Sequence, residues 1–265
     1  MFNATHKQVV FSPNNASALF TDPSYHLPAF YELWALWADA DNDFWSAAAD
    51  TSRDFFKRTT NAATGLGPDY AEFDGAPNST GNHADFRFDA WRTAQNIAMD
   101  YAWWAADPWQ KEHADRILDF FEGEGMTSYA NQYTLSGTAL SSDHSPGLVA
   151  MNAAAALAAT NSRAWRFVDA LWNTAVPAGQ WRYYDGMLYL LGMLHAGGRF
   201  RIWSPGGTAN VMRVHAGPVP AHANLPVFTK IVNLQGRCVA GAGYGGEGAP
   251  ARRRMVRIWP GCRDD

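Results

Sequence analysis

Apolar residues recur at helical spacing in separate segments of this chain, and this pattern limits its possible folds more than any other feature. In the first segment, Leu33, Trp34 and Trp37 share one helical face, and Pro28 suits the first turn of that helix. Strict period-two alternation, which is typical of strands, is almost absent. The sequence therefore predicts an all-α fold of about seven helices in antiparallel pairs, over segments 30–37, 44–56, 87–105, 108–121, 146–159, 162–172 and 184–195.

Start and stop signals flank several of these segments. Asp107-Pro108 combines a capping residue with a proline suited to the first helical turn. Ser162 is the predicted cap of the helix that follows it, and Gly197-Gly198 supplies a stop for the last helix. These signals support the helical assignment independently of the apolar pattern.

The composition changes sharply near residue 204. Residues 1–203 contain 13 Lys and Arg against 22 Asp and Glu, a net charge of −9, whereas residues 204–265 contain 8 against 3, a net charge of +5. The second region also holds 10 of the 23 glycines and has no amphipathic period. We therefore expect a helical domain over 1–203 and a Gly-, Pro- and Arg-rich irregular tail, poorly ordered, over 204–265.

The composition also argues against several partners and sites. The net charge of −4 disfavours nucleic acid, and no apolar stretch approaches the roughly 20 residues of a membrane helix. Motifs for zinc, phosphate-binding loops and serine nucleophiles are absent, so no metal or cofactor is predicted. Both cysteines, Cys238 and Cys262, lie in the tail, and the start MFNATHKQVV lacks an apolar run of signal-peptide length. Together these features predict a cytoplasmic protein that binds neither nucleic acid nor membrane.

Asp89 is the carboxylate with the strongest functional context. It opens a helix between Phe88 and Trp91, with Arg92 almost one turn further on. The more frequent interpretation is structural, because the helix dipole and an arginine both favour an aspartate at this position. The functional interpretation is a general base at the rim of a cleft, held ionised by the arginine.

Four helix entrances carry side chains that suit a functional site, namely Tyr25, Asp89, His144 and Tyr184. Taken singly, each is more often a packing or capping residue. Helices that alternate up and down would bring all four entrances to the same end of the molecule. That shared end is the predicted location of the site.

Five long motifs follow one another over roughly residues 8–203: DPSYHLPAFYELWALWA, GLGPDYAEFDGAPN, FRFDAWRTAQNIAMDYAW, HSPGLVAMNAAAAL and YYDGMLYLLGMLHAGGRFRIW. They resemble consecutive blocks of glycoside hydrolase family 8, and most of all its reducing-end xylose-releasing exo-oligoxylanases. The resemblance implies an (α/α)6 barrel and glycoside hydrolysis with inversion. In that chemistry a carboxylic acid protonates the leaving oxygen while a carboxylate on the opposite face activates water.

The resemblance assigns catalytic roles to three residues by motif position. Asp89 in FDAWR matches the family's general base, and Arg92 matches the arginine that supports the base. Tyr25 matches the tyrosine that holds the nucleophilic water. These three side chains are expected to converge in an aromatic-lined cleft.

Substrate contacts are implied at three further positions. His144 falls on a histidine that, in the exo-acting members, shapes the cleft near the reducing-end sugar, although HSPG here replaces a histidine followed directly by proline. Tyr31 and Tyr184 resemble sugar-contacting residues. The implied substrate is a xylo-oligosaccharide, as in xylan breakdown.

The family's general acid is a glutamate in an N-terminal block of the type TEGMSYG, and this block does not occur in the sequence. Glu32 and Glu72 are available carboxylates, but their motif positions do not match that of the acid. The chain is therefore expected to represent the C-terminal part of the barrel and to be nearly inactive alone. Two alternatives are a non-catalytic oligosaccharide-binding protein and a half barrel covered by a partner that carries the missing half.

Overall fold

The computed structural model describes residues 1–203, together with the backbone of two short strands further along the chain. The strands of the first part are β1 (Phe2–Asn3) and β2 (Gln8–Val9), which pair antiparallel, as do the later β3 (Lys230–Val232) and β4 (Cys238–Gly241). The helices in the described residues are α1 (Pro28–Trp37), α2 (Asn42–Thr59), α3 (Trp91–Trp104), α4 (Trp109–Glu124), α5 (Pro146–Ala155), α6 (Ala164–Asn173) and α7 (Arg182–Ala196). The seven predicted helices are thus confirmed, whereas the β1–β2 hairpin was not predicted.

The alanine-rich helix α5 lies at the centre of the packing, between α3 and α7 and against α6. Its residues from Gly147 to Ala155 are all buried. Small side chains let the neighbours approach closely: a Cβ atom at Gly192 of α7 would lie 2.7 Å from the carbonyl oxygen of Ala150. This close approach sets the short distance between α5 and α7.

A buried ion pair ties the first four helices together. Arg53 of α2 donates two hydrogen bonds to the carboxylate of Asp100 of α3, at 2.8 and 2.9 Å, and a third to Glu32 of α1 at 2.7 Å. Gln110 of α4 also donates to Asp100, which is fully buried. The network compensates the burial of both charges and sets the position of α3.

The helix ends follow local rules, with one correction. Asp107 accepts a hydrogen bond from the first amide of α4 at 3.0 Å, and Gly198 adopts a φ of 64° just after α7, as its predicted stop role requires. The predicted cap Ser162 is wrong, because the side chain of Asn161 instead accepts from the backbone N–H of Arg163. Asparagine and serine cap equally well, so spacing alone could not decide between them.

The remaining expectations concern the membrane and the tail. Within residues 1–203, no helix is both long and apolar enough to span a bilayer. The predicted irregular tail over 204–265 lies, apart from β3 and β4, outside the described residues.

Candidate functional site

Asp89 lies on a short 3-10 turn, Phe88–Ala90, that leads directly into α3. Phe88 has a φ of 45°, which places the turn in the left-handed region that a non-glycine residue rarely adopts. This conformation turns the Phe88 ring outward, so that it is 43% exposed, and leaves the Asp89 side chain 31% exposed. The carboxylate is therefore accessible at the surface beside an exposed ring.

Both oxygens of the Asp89 carboxylate are held from outside the turn. The hydroxyl of Tyr184 lies 2.9 Å from one oxygen, and the guanidinium of Arg92 lies 2.8 Å from the other. The same Tyr184 hydroxyl lies 3.0 Å from the carbonyl oxygen of Phe88, so its proton is shared between the two acceptors. The cation and the hydroxyl fix the orientation of the carboxylate while its outer side remains exposed.

Arg92 links Asp89 to Tyr25. Its guanidinium donates to the hydroxyl of Ser24 at 2.9 Å and lies 5.7 Å from the centre of the Tyr25 ring. The short turn Pro23–Tyr25 is held against α3 by Asn96, whose side-chain amide donates to the carbonyl of Ser24 at 2.7 Å. Tyr25, Arg92 and Asp89 therefore come together at one end of the molecule.

Burial keeps the tyrosine hydroxyls of this cluster protonated. Partial burial raises the pKa of Tyr25, and the negative charges of Asp22 and Asp89 raise it further. Burial likewise raises the pKa of Tyr184, although the cation of Arg92 opposes the shift. Both residues are consequently hydrogen-bond donors across the ordinary pH range, as a residue that holds a water or a carboxylate must be.

Two buried carboxylates beside Asp89 were missed by the sequence analysis. Asp22 and Asp69 are 0% and 1% exposed. Burial raises the pKa of Asp22 to about 7, against the hydrogen bond from Ser24, and the charge of Asp89 adds to the rise. Burial also raises the pKa of Asp69, while its bond with His83 lowers it. Asp22-Pro23-Ser24 carries a capping signal in the sequence, but nothing local indicates that either carboxylate approaches Asp89.

Two of the predicted substrate-contacting residues, Tyr31 and His144, have partners other than the Asp89 carboxylate. Tyr31 is 2% exposed and packs against Trp34 and Trp45, and its hydroxyl donates to the carbonyl of Tyr25 at 3.2 Å. Through this bond Tyr31 helps to hold the backbone of Tyr25 in place. The His144 ring packs on Tyr129 and bonds its carbonyl oxygen at 2.8 Å. Their sugar contacts remain predictions.

The two glutamates considered in the sequence analysis are engaged elsewhere. Glu32 belongs to the buried ion-pair network around Arg53, and Glu72 accepts a hydrogen bond from Asn78 at 2.6 Å. In residues 1–203, no group of three or more His, Cys, Asp or Glu side chains is arranged to hold a metal ion. The chemistry that the described cluster offers is that of one accessible, firmly oriented carboxylate with tyrosine donors nearby.

Comparison with known proteins shows which family this chain resembles. The model of glycosyl hydrolases family 8 matches residues 7–198. The reducing-end xylose-releasing exo-oligoxylanase Rex8A of Paenibacillus barcinonensis is 40% identical over 209 residues, which are 77% of this chain and 54% of that protein. Endoglucanase C of Ruminiclostridium cellulolyticum is 32% identical over 183 residues, 68% of this chain and 38% of that protein.

A solved structure shows the same fold. The xylobiose complex of a family 8 protein from Teredinibacter turnerae superposes with a TM-score of 0.73 at 44% identity, over 76% of this chain and 52% of that one. The helices described above are thus part of an (α/α)6 barrel. The chain spans about half the length of the relatives and structures that it matches.

Proposed function

From the fact that this chain belongs to family 8 of the glycosyl hydrolases, we propose that it carries the base side of a site that hydrolyses xylo-oligosaccharides with inversion. Asp89 is the general base, and it takes a proton from the water that attacks the anomeric carbon. Tyr25 orients that water, and Arg92 stabilises the carboxylate before the proton arrives. The xylose-based substrate follows from the exo-oligoxylanase and xylobiose-bound relatives.

One observation carries this proposal, namely the way in which Asp89 is held. A general base must keep its free oxygen lone pairs directed at the water while the rest of the side chain stays fixed. Tyr184 and Arg92 each bond one oxygen of the carboxylate, whose side chain is still 31% exposed. A carboxylate that served only to cap α3 would instead bond the amides of its own turn.

The leaving oxygen must be protonated by a second carboxyl group, about 6.5–9.5 Å from the base in inverting enzymes. By resemblance this acid is a glutamate of the TEG-type block, which the sequence of this chain does not contain. We therefore propose that the chain alone hydrolyses only substrates whose leaving group departs without a proton.

A pair of substrates tests the assignment of Asp89. 2,4-Dinitrophenyl β-xylobioside releases a stable phenolate that needs no acid, whereas xylotriose does need one. The chain should hydrolyse the first and barely act on the second, and Asp89→Asn should slow the first reaction roughly 10²–10⁴-fold. Proton NMR should show α-xylobiose as the first product, as inversion requires.

The matched control is Asp85→Asn. Asp85 lies four residues from Asp89 and forms an ion pair with Arg87 at 3.1 Å, apart from the 3-10 turn. This variant should behave as the wild type. Hydrolysis that is insensitive to Asp89→Asn, or that yields the β-anomer first, would refute the assignment.

Oligosaccharide binding without catalysis is the second candidate function. It is favoured by the exposed Phe88 ring beside Asp89, because flat exposed rings suit stacking on sugar faces. Calorimetry with xylotetraose separates the two candidates. Binding that survives Asp89→Asn but is lost in Phe88→Ala, with no dinitrophenyl xylobioside turnover, would favour the binding protein.

A further inference from the structure

The turn that carries Asp89 is strained, and it is held in place from two sides. A left-handed conformation at a non-glycine residue such as Phe88 persists only where its surroundings enforce it. On one side, Tyr184 of α7 reaches the carbonyl oxygen of Phe88. On the other side, the backbone N–H of Ala90 donates both to the carbonyl oxygen of Arg87 at 3.0 Å and to an oxygen of Asp69 at 3.1 Å, and the second bond ties the turn to the 61–86 loop.

Asp69 is positioned to act as an anchor. Its residue is 1% exposed, and its own backbone N–H is fixed to the carbonyl of Asp85 at 3.0 Å. The carboxylate oxygen that does not face Ala90 is bonded to the Nδ1 atom of His83. Each carboxylate oxygen therefore has a defined partner, and the side chain spans the gap between the 61–86 loop and the start of α3.

His83 completes the support from the surface. Its ring stacks on that of Tyr70, with centroids 4.1 Å apart and the planes inclined by 12°. The backbone N–H of Tyr70 donates to the carbonyl oxygen of His83 at 2.8 Å. The His83 side chain is 25% exposed, so it lies between the anchor and solvent. A ring locked in this way limits the rotation of the carboxylate that it contacts.

We propose that Asp69 and His83 form a positioning pair that holds the general base Asp89 through the backbone N–H of Ala90. The pair acts by fixing the turn from which the Asp89 side chain projects. This role rests on the proposed function of Asp89 as a base. A displacement of the turn by about 1 Å would be expected to cost roughly 10²-fold in rate.

The charged surroundings of Asp69 make the anchor sensitive to pH. Burial raises the pKa of Asp69 to about 6, and the negative charge of Asp89 adds to this rise. The hydrogen bonds with His83 and with the Ala90 amide act in the opposite direction and lower the pKa. The ionised carboxylate is the stronger acceptor, so the bond to Ala90 is firm above this pH and weakens below it. The titratable groups that face Asp69 are Asp22, Tyr25, Tyr70, His83, Asp89 and Tyr184.

The kinetic test uses 2,4-dinitrophenyl β-xylobioside and three variants of the complete chain. Asp69→Ala removes the anchor and should lower kcat about 10- to 100-fold with KM changed less than twofold. Asp69→Asn keeps an oxygen acceptor for the Ala90 amide and should recover much of this loss. His83→Phe keeps the stacking on Tyr70 but loses the ring nitrogen, and it should lie between Asp69→Asn and the wild type.

Asp85→Asn is again the matched control, since its side chain lies in the same segment but pairs with Arg87. A wild-type kcat in Asp69→Ala, or an equal loss in Asp85→Asn, would overturn the positioning role. If Asp69→Ala does not fold, the kcat values of the other two variants decide. The value for His83→Phe should lie between those of Asp69→Asn and the wild type, and any other order would overturn the positioning role.

A second measurement does not depend on hydrolysis. In proton–nitrogen NMR spectra of the wild type, the Ala90 amide proton should move upfield as the pH falls through about 6, the pKa of Asp69. This movement should vanish in Asp69→Asn, and hydrogen exchange at Ala90 should quicken in Asp69→Ala but not in Asp85→Asn. If the chemical shift and the hydrogen exchange of the Ala90 amide are the same in all Asp69 variants as in the wild type, the anchoring role is refuted. If these measurements support the anchor but the chain hydrolyses no substrate, only the assignment of Asp89 as general base is refuted.

Discussion

Replacement of Asp22 by asparagine should stabilise this protein at alkaline pH and leave its stability nearly unchanged at acidic pH. Asp22 precedes the turn that carries Tyr25 and is 0% exposed. One carboxylate oxygen accepts from the backbone N–H of Ser24 at 2.7 Å, and the other is buried with no hydrogen-bond partner within the described part of the chain. Burial raises the pKa of this group to about 7 from an ordinary value of 3.8.

The direction of the effect follows from proton binding. Between pH 3.8 and about 7 the folded protein retains a proton on Asp22 that the unfolded chain releases, so stability is fully present below pH 3.8 and falls as the pH rises towards 7. The shift corresponds to about 4 kcal/mol of lost stability above pH 7. Asparagine keeps the oxygen that accepts from Ser24 but cannot ionise. The difference in free energy of unfolding between the variant and the wild type should therefore grow by about 3 kcal/mol from pH 5 to pH 8.

Urea denaturation of both proteins at pH 5 and pH 8 measures this difference. Asp74→Asn is the matched control, because Asp74 accepts from the amide of Ala76 at 2.9 Å in the same i to i+2 geometry but is exposed. The control should show no dependence on pH relative to the wild type. If Asp22→Asn shows an equally flat difference, Asp22 is ionised and hydrated in the folded protein, and the reasoning from burial is wrong.

Three further predictions test packing and the site. Arg53→Met should lower the free energy of unfolding by about 3–5 kcal/mol, because it leaves the buried carboxylate of Asp100 without its cation. Arg163→Met, at a half-exposed ion pair, should lower it by at most about 1 kcal/mol. Urea denaturation measures both changes. Gly192→Ala should lower the free energy of unfolding by about 1–3 kcal/mol, because the added methyl group overlaps α5. Gly186→Ala lies on the same helix with open space around it, and it should raise the free energy of unfolding by about 0.5–1 kcal/mol in the same assay. Tyr184→Phe removes the hydroxyl that lies within hydrogen-bond distance of both Phe88 and Asp89, and it should lower the free energy of unfolding by about 1 kcal/mol. It should also lower kcat on the dinitrophenyl xylobioside by a larger factor than it changes KM. An unaltered kcat would contradict the proposed role of this hydroxyl.

The helices could be predicted because their signals are local. Apolar spacing, Asp107 as a cap and Gly198 as a stop depend only on neighbouring residues, and all three are seen in the structure. The β1–β2 hairpin could not be predicted, since each strand has two residues and its pairing depends on packing against the helices. The choice of Asn161 over Ser162 as a cap failed for a related reason, because two good capping residues stood side by side.

The grouping of the candidate site residues could be predicted, whereas their surroundings could not. Asp89, Arg92 and Tyr25 were identified from helix entrances and motifs, and the structure brings them together. Tyr31 is 2% exposed and donates to the carbonyl oxygen of Tyr25, a contact that depends on helix packing, and its sugar contact stays a prediction.

The sequence by itself determined which segments are helical and which carboxylate stands at the entrance of α3, since both follow from residue type and short spacings. Only the tertiary structure decided how that carboxylate is held. Tyr184 reaches Asp89 across 95 residues of chain, and Asp69 supports Ala90 across 21. Both contacts depend on how α7 and the 61–86 loop pack at the start of α3, and burial in the folded protein likewise raises the pKa of Asp22.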